Sequence, residues 1–542
     1  YAPLDWKREF LNWNEEATFG RAEGLVFANQ PLYLKGYHQI VRDCLGSLHD
    51  HHVSVLFFST ESATLPFSVQ YVQGKYLVDW VDTKRLPEKS YTIQVGDELQ
   101  FMDGVSVEEI AASLDMGKWI PMENQATDSA LLAMRLTMRF GDYGDIVPQG
   151  PITLGFAKKD ETATYSYQIM WQYEPEWIQP LPPLHSLFGK IHFLGEELHT
   201  LSMISPWHQS LVRQTKGRPG TLGAKKSFVP ELGEIVWSSE QGFVSESSSI
   251  NRFFSWFFRK IPYFGSSGGN SDDSSSKSSL EESCWYAYIY RSPEGRLIGY
   301  VRIPTYDRGE AESQSFGELM NFLEERTEAL VIDQVNNPGG YAWLVYDLCS
   351  ILAKEPLVTP RHRLKLTQLD VVHSRKILDS IQKLLQVFDD TDDIDTSWNS
   401  SEIDSLVDTF DYQKLLFYKA YHEFILKEWA QGHFFTDPTH IEGVDHVNPH
   451  PVYRYRKPLL LLINSLDFSG GDFFLYILKS NQRALIFGSK TAGAGGCVSS
   501  TAFTNQFGIR MLTYTSSIAE GLNGEKIENL GVSPDIPYEI TR

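Results

Sequence analysis

Along residues 286–542 short apolar runs alternate with stretches whose apolar positions recur every three or four residues, the signature of strands alternating with helices. In "SFGELMNFLEERT", Phe316, Leu319, Met320 and Leu323 fall on one helical face. The strand "ALVID" (329–333) follows, then the turn "QVNNPGG" and a helix in "YAWLVYDLCSILA". A second unit runs from "LLLLIN" (459–464) through Ser469 into another helix, and a third runs from "ALIFG" (484–488) into "SKTAGAGG". Continuous apolar strands alternating with helices predict a mostly parallel sheet buried on both faces. Ligands of such sheets sit at the carboxyl ends of the strands, where these glycine turns lie.

The pattern differs upstream. Residues 33–48 place Ile40, Val41, Cys44, Leu45 and Leu48 at helical spacing, and "HHVSVLFF" then alternates as a strand, with His52 at the joint. From about 62 to 175 short strands and turns dominate: "FSVQYVQGKYLVDWV" predicts a hairpin around Gly74, and "TYSYQIMWQYEPEW" alternates again. Between them, "IQVGDELQFMDGVSVEEIAASL" resembles the PDZ family in its Gly-Asp-x-Leu segment and Asp-Gly turn. Strand addition of a peptide to a sheet edge is the use this implies. Residues 176–285 lose periodicity; "SSGGNSDDSSSKSSLEES" (266–283) is a low-complexity linker, and the aromatic-basic "RFFSWFFRK" (252–260) reads as docking on the chain's own body rather than on a membrane surface. Four segments follow: an N-terminal helical segment (1–60), a PDZ-like domain (61–175), an internal segment with linker (176–285) and an α/β domain (286–542).

A chain of 542 residues exceeds a single core, as this division requires. Its formal net charge of -21 argues against nucleic acid or an anionic membrane as main partner. No apolar run approaches the roughly 18 residues a membrane span needs. Cys44, Cys284, Cys349 and Cys497 lie far apart without zinc-like spacing, so neither a disulfide framework nor a metal site is expected, and no cofactor is called for. "DDTDDID" (389–395) lacks the glycine and spacing of a calcium loop and reads as a solvated acidic turn.

Ser469 stands where an apolar strand becomes a helix. Serine is a favoured helix N-cap and Asp472 three positions on makes a partial capping box, so the local stretch alone favours a structural role. A nucleophilic role needs a base and donors aimed at an oxyanion. The unpaired amides of a helix N-terminus are such donors, Gly470 supplying one without a side chain in the way. Gly339 and Gly340 of "NNPGG" are placed to supply a second, although an ordinary glycine turn explains them equally well in isolation.

The order "NPGG", "DFSGGDFF", "GSKTAGAGG", "ENLGVSPDI" behind a PDZ-like domain resembles the carboxyl-terminal-processing, or tail-specific, serine proteases. The chlamydial subgroup is the nearer likeness, through "YAPLDWKREFLNWN", "VGDELQFMDG", "RIPTYDRGE", "ALVIDQVNNPGG", "HPVYRYRKP", "NQRALIFGSKTAGAGG" and "IENLGVSP". The resemblance implies a multidomain α/β and α+β chain whose C-terminal core is crotonase/ClpP-like (ββα). It also implies a serine endopeptidase acting through an acyl-enzyme. Ala494 stands where ordinary members carry the lysine of their Thr-Phe-Gly-Lys-Gly turn, and Lys490 is out of register. The subgroup's Ser/His/Glu arrangement maps onto Ser469, His52 and Glu528, with Gly470, Gly339 and Gly340 as oxyanion donors and His51 as the alternative base. A metal held by His49, His51 and His52 lacks an evident acidic or cysteine partner. The resemblance further implies a zymogen, inhibited by a segment within 200–240 that includes "SMISPWHQSLVRQ" and opened by self-cleavage between about 190 and 285. It implies a homodimer secreted by an intracellular Gram-negative bacterium, with host polypeptides as substrates. A periplasmic processing protease with another base, and a non-catalytic PDZ-containing scaffold, are the alternatives.

Overall fold

The computed structural model describes residues 1–115, 126–159, 163–176, 221–227, 229–240, 242–243, 285–389, 412–503 and 506–542. The expectations for 202–214, 252–260, 266–283 and most of 389–395 fall outside these residues.

The centre is an eight-stranded sheet in the order 242–243, Glu234–Ser238, Tyr286–Arg291, Leu297–Arg302, Ala329–Asp333, Leu459–Ile463, Leu485–Gly488, Ile536–Pro537. Pairings from Leu297–Arg302 to the last strand are parallel, as the strand–helix alternation requires, whereas the first four strands pair antiparallel. Within residues 286–542 the sheet is mostly parallel, as expected, and it becomes mixed where a hairpin through Gly295 and the strand Glu234–Ser238, from a region without readable periodicity, extend it.

The leucine run shows how the two faces differ. Leu459, Leu461 and Ile463 join the core beneath the helices Glu310–Arg326, Ala342–Leu352 and Gly470–Ser480. Leu460 and Leu462 point the other way and pack into a second cluster with Tyr288, Tyr290, Tyr300 and Val331 on that face of the sheet. Period-two geometry sends alternate residues to opposite faces, and each fully buried leucine contributes about 1.5–3 kcal/mol.

The PDZ-like part is a sheet of strands Phe67–Val72, Lys75–Val81, Glu98–Met102, Pro151–Ala157 and Thr164–Met170 with the helices Val107–Leu114 and Ala126–Thr137. The hairpin turns at Gly74, whose φ of 81° favours glycine.

A three-stranded sheet brings the two chain ends together. Ser54–Phe57 pairs antiparallel with Ile509–Thr515, Ser54 opposite Thr513, and Val498–Ala502 flanks the other side. Immediately before the first of these strands sits His52. Its carbonyl accepts the Thr513 hydroxyl at 2.7 Å, so this register fixes where the N-terminal histidine loop meets the C-terminal region.

Candidate active site

The strand Leu459–Ile463 ends at Asn464, and a tight loop delivers Ser469 to the first turn of Gly470–Ser480. Ser469 has φ 56° and ψ -112°, a conformation that costs a non-glycine residue about 1–3 kcal/mol and persists only when its surroundings over-determine it. The surroundings do so. The Ser469 N–H donates to Asp472 at 2.9 Å, and Phe468 N–H donates to the Asn337 carbonyl at 2.9 Å. Asp472 also accepts the Thr491 hydroxyl and the amides of Gly493 (3.1 Å) and Ala494 (3.0 Å), so one carboxylate clips the serine turn to the "TAGAG" loop. Burial pushes its carboxyl up to about 6 against the pull of these donors. Asp467 does similar work one turn earlier, accepting from the amides of Asn337 (2.9 Å) and Asn464 (3.0 Å); burial raises its carboxyl far above the usual range.

The capping expectation holds for half of the box only. Asp472 caps the Ser469 amide, but the Ser469 hydroxyl is fully buried and has no hydrogen-bond partner. A buried hydroxyl without a partner is costly, which argues against a purely structural serine.

The glycines converge on it. A Cβ on Gly339 would stand 2.8 Å from both the Phe468 carbonyl oxygen and the Ser469 Cβ, and one on Gly470 would stand 3.1 Å from the Gly340 nitrogen. Gly340 itself abuts Tyr306, where an added Cβ would lie 1.9 Å from the backbone carbon. The amides of Gly340 and Gly470 thus lie side by side next to Ser469. That of Gly339 is already committed to Asn337 Oδ1 at 2.8 Å, so this residue supplies clearance rather than a free donor.

His52 is fully buried, and neither ring nitrogen has a hydrogen-bond partner, so no hydrogen bond joins it to Ser469 or Glu528. Burial pushes its imidazole down to about 4, partly offset by Asp50, which leaves it neutral at physiological pH. His51 is engaged elsewhere: its ring stands edge-on to Phe468 with centroids 5.4 Å apart, and Nε2 lies 3.8 Å from Asp128. The His49 ring also approaches Asp128, at 3.8 Å. Glu528 is buried and accepts from the Gly496 amide at 3.2 Å. Burial and the nearby Asp50 push its carboxyl well up, against the pull of Lys7.

Lys490 is exposed, whereas Ser469 and Ala494 are buried. Among the described residues no group of three or more His, Cys, Asp or Glu side chains is placed to hold a metal, and Cys44, Cys349 and Cys497 are buried free thiols. No described helix is long and apolar enough to cross a membrane. Asn337, Asp467, Lys7 and Asp50 shape this region without having been legible as site residues. Asp472 alone had a local signal, its place three positions after a serine at a helix start.

A strained serine at a helix N-terminus beside a glycine amide is the equipment of acyl transfer. Residues 297–538 match the model of peptidase family S41 and residues 61–178 that of the PDZ domain. An uncharacterized protein of Chlamydia muridarum is 31% identical over all of this chain and 86% of its own length, and a protein of Chlamydia trachomatis serovar D is 30% identical with the same coverage. The chain belongs to peptidase family S41 and is a serine peptidase acting on polypeptides. Among solved structures it is similar to mature CPAF, the chlamydial protease-like activity factor, at 28% identity with a TM-score of 0.72, covering the whole chain and 90% of that structure. The lactacystin complex of mature CPAF matches at 28% identity with a TM-score of 0.73 and 91% coverage of that structure.

Proposed function

We propose that Ser469 attacks the substrate carbonyl, that His52 takes its proton and returns it to the leaving amine, and that Glu528 orients the imidazole and stabilises the imidazolium. The oxyanion forms against the amides of Gly470 and Gly340, with Gly339 making room. The observation that carries this reading is Ser469 itself, a buried, unpaired hydroxyl held at positive φ beside two glycines. The neutral state of His52 suits a base awaiting a proton.

In this reading the present arrangement is a resting form. Support comes from the internal segment: Leu222 is fully buried in one cluster with Leu466, Phe468, Ala492 and Ala494, and the Gly223 amide donates to the Asn336 carbonyl at 3.0 Å. Arg302, buried beside Asp333, also donates to the Ala224 carbonyl at 3.3 Å. A stretch of the region 200–240 thereby occupies space against the serine turn. Self-cleavage between about 190 and 285 would release it and let His52 and Glu528 close on Ser469. The likeness to CPAF supports extending the reading to a secreted, homodimeric protease acting on host proteins.

The test is substitution with a polypeptide substrate. Ser469→Ala and His52→Ala are expected to abolish hydrolysis and self-cleavage, and Lys490→Ala to leave both unchanged. A Lys490 variant that is dead while His52→Ala is active would point to a lysine base instead.

A further inference from the structure

The helix Leu4–Phe10 buries one lysine completely. Lys7 Nζ donates to the His49 carbonyl at 2.9 Å and to Asn529 Oδ1 at 2.6 Å. The Asn529 amide returns a bond to the same His49 carbonyl at 2.7 Å, and its N–H donates to Gly493 at 2.7 Å. Lys7 thus stands between the loop carrying His52 and the turn carrying Glu528, tied to both. Asn529, at φ 59°, also links that turn to the "TAGAG" loop that Asp472 clips to the nucleophile. Asp50 completes the group: one oxygen accepts the His52 amide at 2.9 Å, the other accepts the hydroxyls of Tyr1 and Thr515, each at 2.7 Å.

We propose that Lys7 is a positioning residue of the active site: its ammonium fastens the histidine loop to the Glu528 turn and balances the buried carboxylates Asp50 and Glu528, so that Glu528 faces the imidazolium as an anion. The inference rests on the Ser469/His52/Glu528 reading and concerns what makes that arrangement electrostatically possible. Two carboxylates buried together cannot both ionise without a counter-charge. The charged groups facing Lys7 are Asp50, Glu528 and Asp128; those facing Glu528 are Asp50, Lys7 and Asp472; those facing His52 are Asp50 and His51. Two of the directions agree with this, while in the present arrangement burial and Asp50 still hold the Glu528 carboxyl up against the pull of Lys7. Burial drives the Lys7 ammonium down while the three carboxylates hold it up, and Asp50 ends below its ordinary value because Lys7, His52 and its donors outweigh its burial.

The experiment compares Lys7→Met, Lys7→Arg and Glu528→Gln in the full chain, following peptide hydrolysis against pH and thermal unfolding. Lys7→Met is expected to lower kcat about ten-fold or more with KM within about two-fold, and to move the acid limb of kcat/KM to higher pH, because Glu528 then protonates more readily. Lys7→Arg, which keeps the charge, is expected to restore the position of that limb. A folded Lys7→Met enzyme with wild-type kcat and an unmoved limb would overturn the proposal, whereas a Glu528→Gln enzyme with full activity would overturn the triad reading and the proposal with it. If Lys7→Met does not fold, Asn529→Gly decides, since it keeps the positive φ and removes the tether. A loss of at least about five-fold in kcat supports the role, and unchanged kcat contradicts it.

Discussion

The two halves of the proposed active site are built differently. The serine half lies at the carboxyl end of a buried parallel strand, and three amides that shape it are committed: Ser469 to Asp472, Phe468 to Asn337, Gly339 to the Asn337 side chain. The base half comes from two loops near opposite ends of the chain, and its central group, the His52 ring, is bonded to nothing. The serine half is therefore preorganised by the sheet, and the base half is what a conformational step can switch. In the proposed resting form the nucleophile is rigid and the base is withheld.

The largest effect that would break this contrast belongs to Ser469→Ala. Turnover should fall about a million-fold while thermal unfolding shifts little, since only an unpaired hydroxyl is lost; a residual rate within about ten-fold of wild type would remove Ser469 from the mechanism. Next in size is Gly340→Ala, whose Cβ would collide with the Tyr306 backbone. Its expected cost exceeds about 4 kcal/mol, visible as a chain that does not fold, and a stable Gly340→Ala protein would show the serine half to be softer than described. Gly470→Ala would meet the Gly340 nitrogen at 3.1 Å and the Gly339 backbone carbons at 3.4 Å, so it should fold, with hydrolysis slowed by displacement of the oxyanion amides.

The base half makes a prediction about pH. His52 is held at about 4, below the unfolded value of 6.5, so it favours the folded chain above pH 6.5 and that contribution is lost as pH falls through 6.5 toward 4. The loss amounts to about 3 kcal/mol in all, and denaturant unfolding of His52→Gln at pH 7 and pH 4 should show a correspondingly smaller difference than wild type. Equal differences in the two proteins would mean that the ring is solvated rather than buried. Smallest of all is Lys490→Ala, where no change in rate is expected.

The contrast also explains what could be read in advance. The leucine run, the glycine turns and the capping position of Asp472 are local patterns with local physical causes, and they mark the serine half along one stretch of chain. His52 and Glu528 have no such signature: an imidazole at a strand joint and a carboxylate in a turn look alike whether they are solvated or catalytic, and only family likeness singled them out. Lys7 was harder still. A lysine in "LDWKREF" reads as a solvated helical residue, and its burial depends on a tertiary contact with Asn529, more than 500 positions away. The strand Glu234–Ser238 was hidden by low periodicity because it pairs beside the tyrosine-rich face, where its residues are only partly buried at Ile235 and Val236.

The central claim is that Ser469 is ready and its base is withheld. Labelling with a fluorophosphonate probe, on the intact chain and on the chain cut within 190–285, tests it most directly. The account predicts slow labelling of the intact chain, fast labelling after the cut, and no fast phase when either His52 or Ser469 is replaced. Equal rates before and after cleavage, or a fast phase that survives loss of His52, would contradict it.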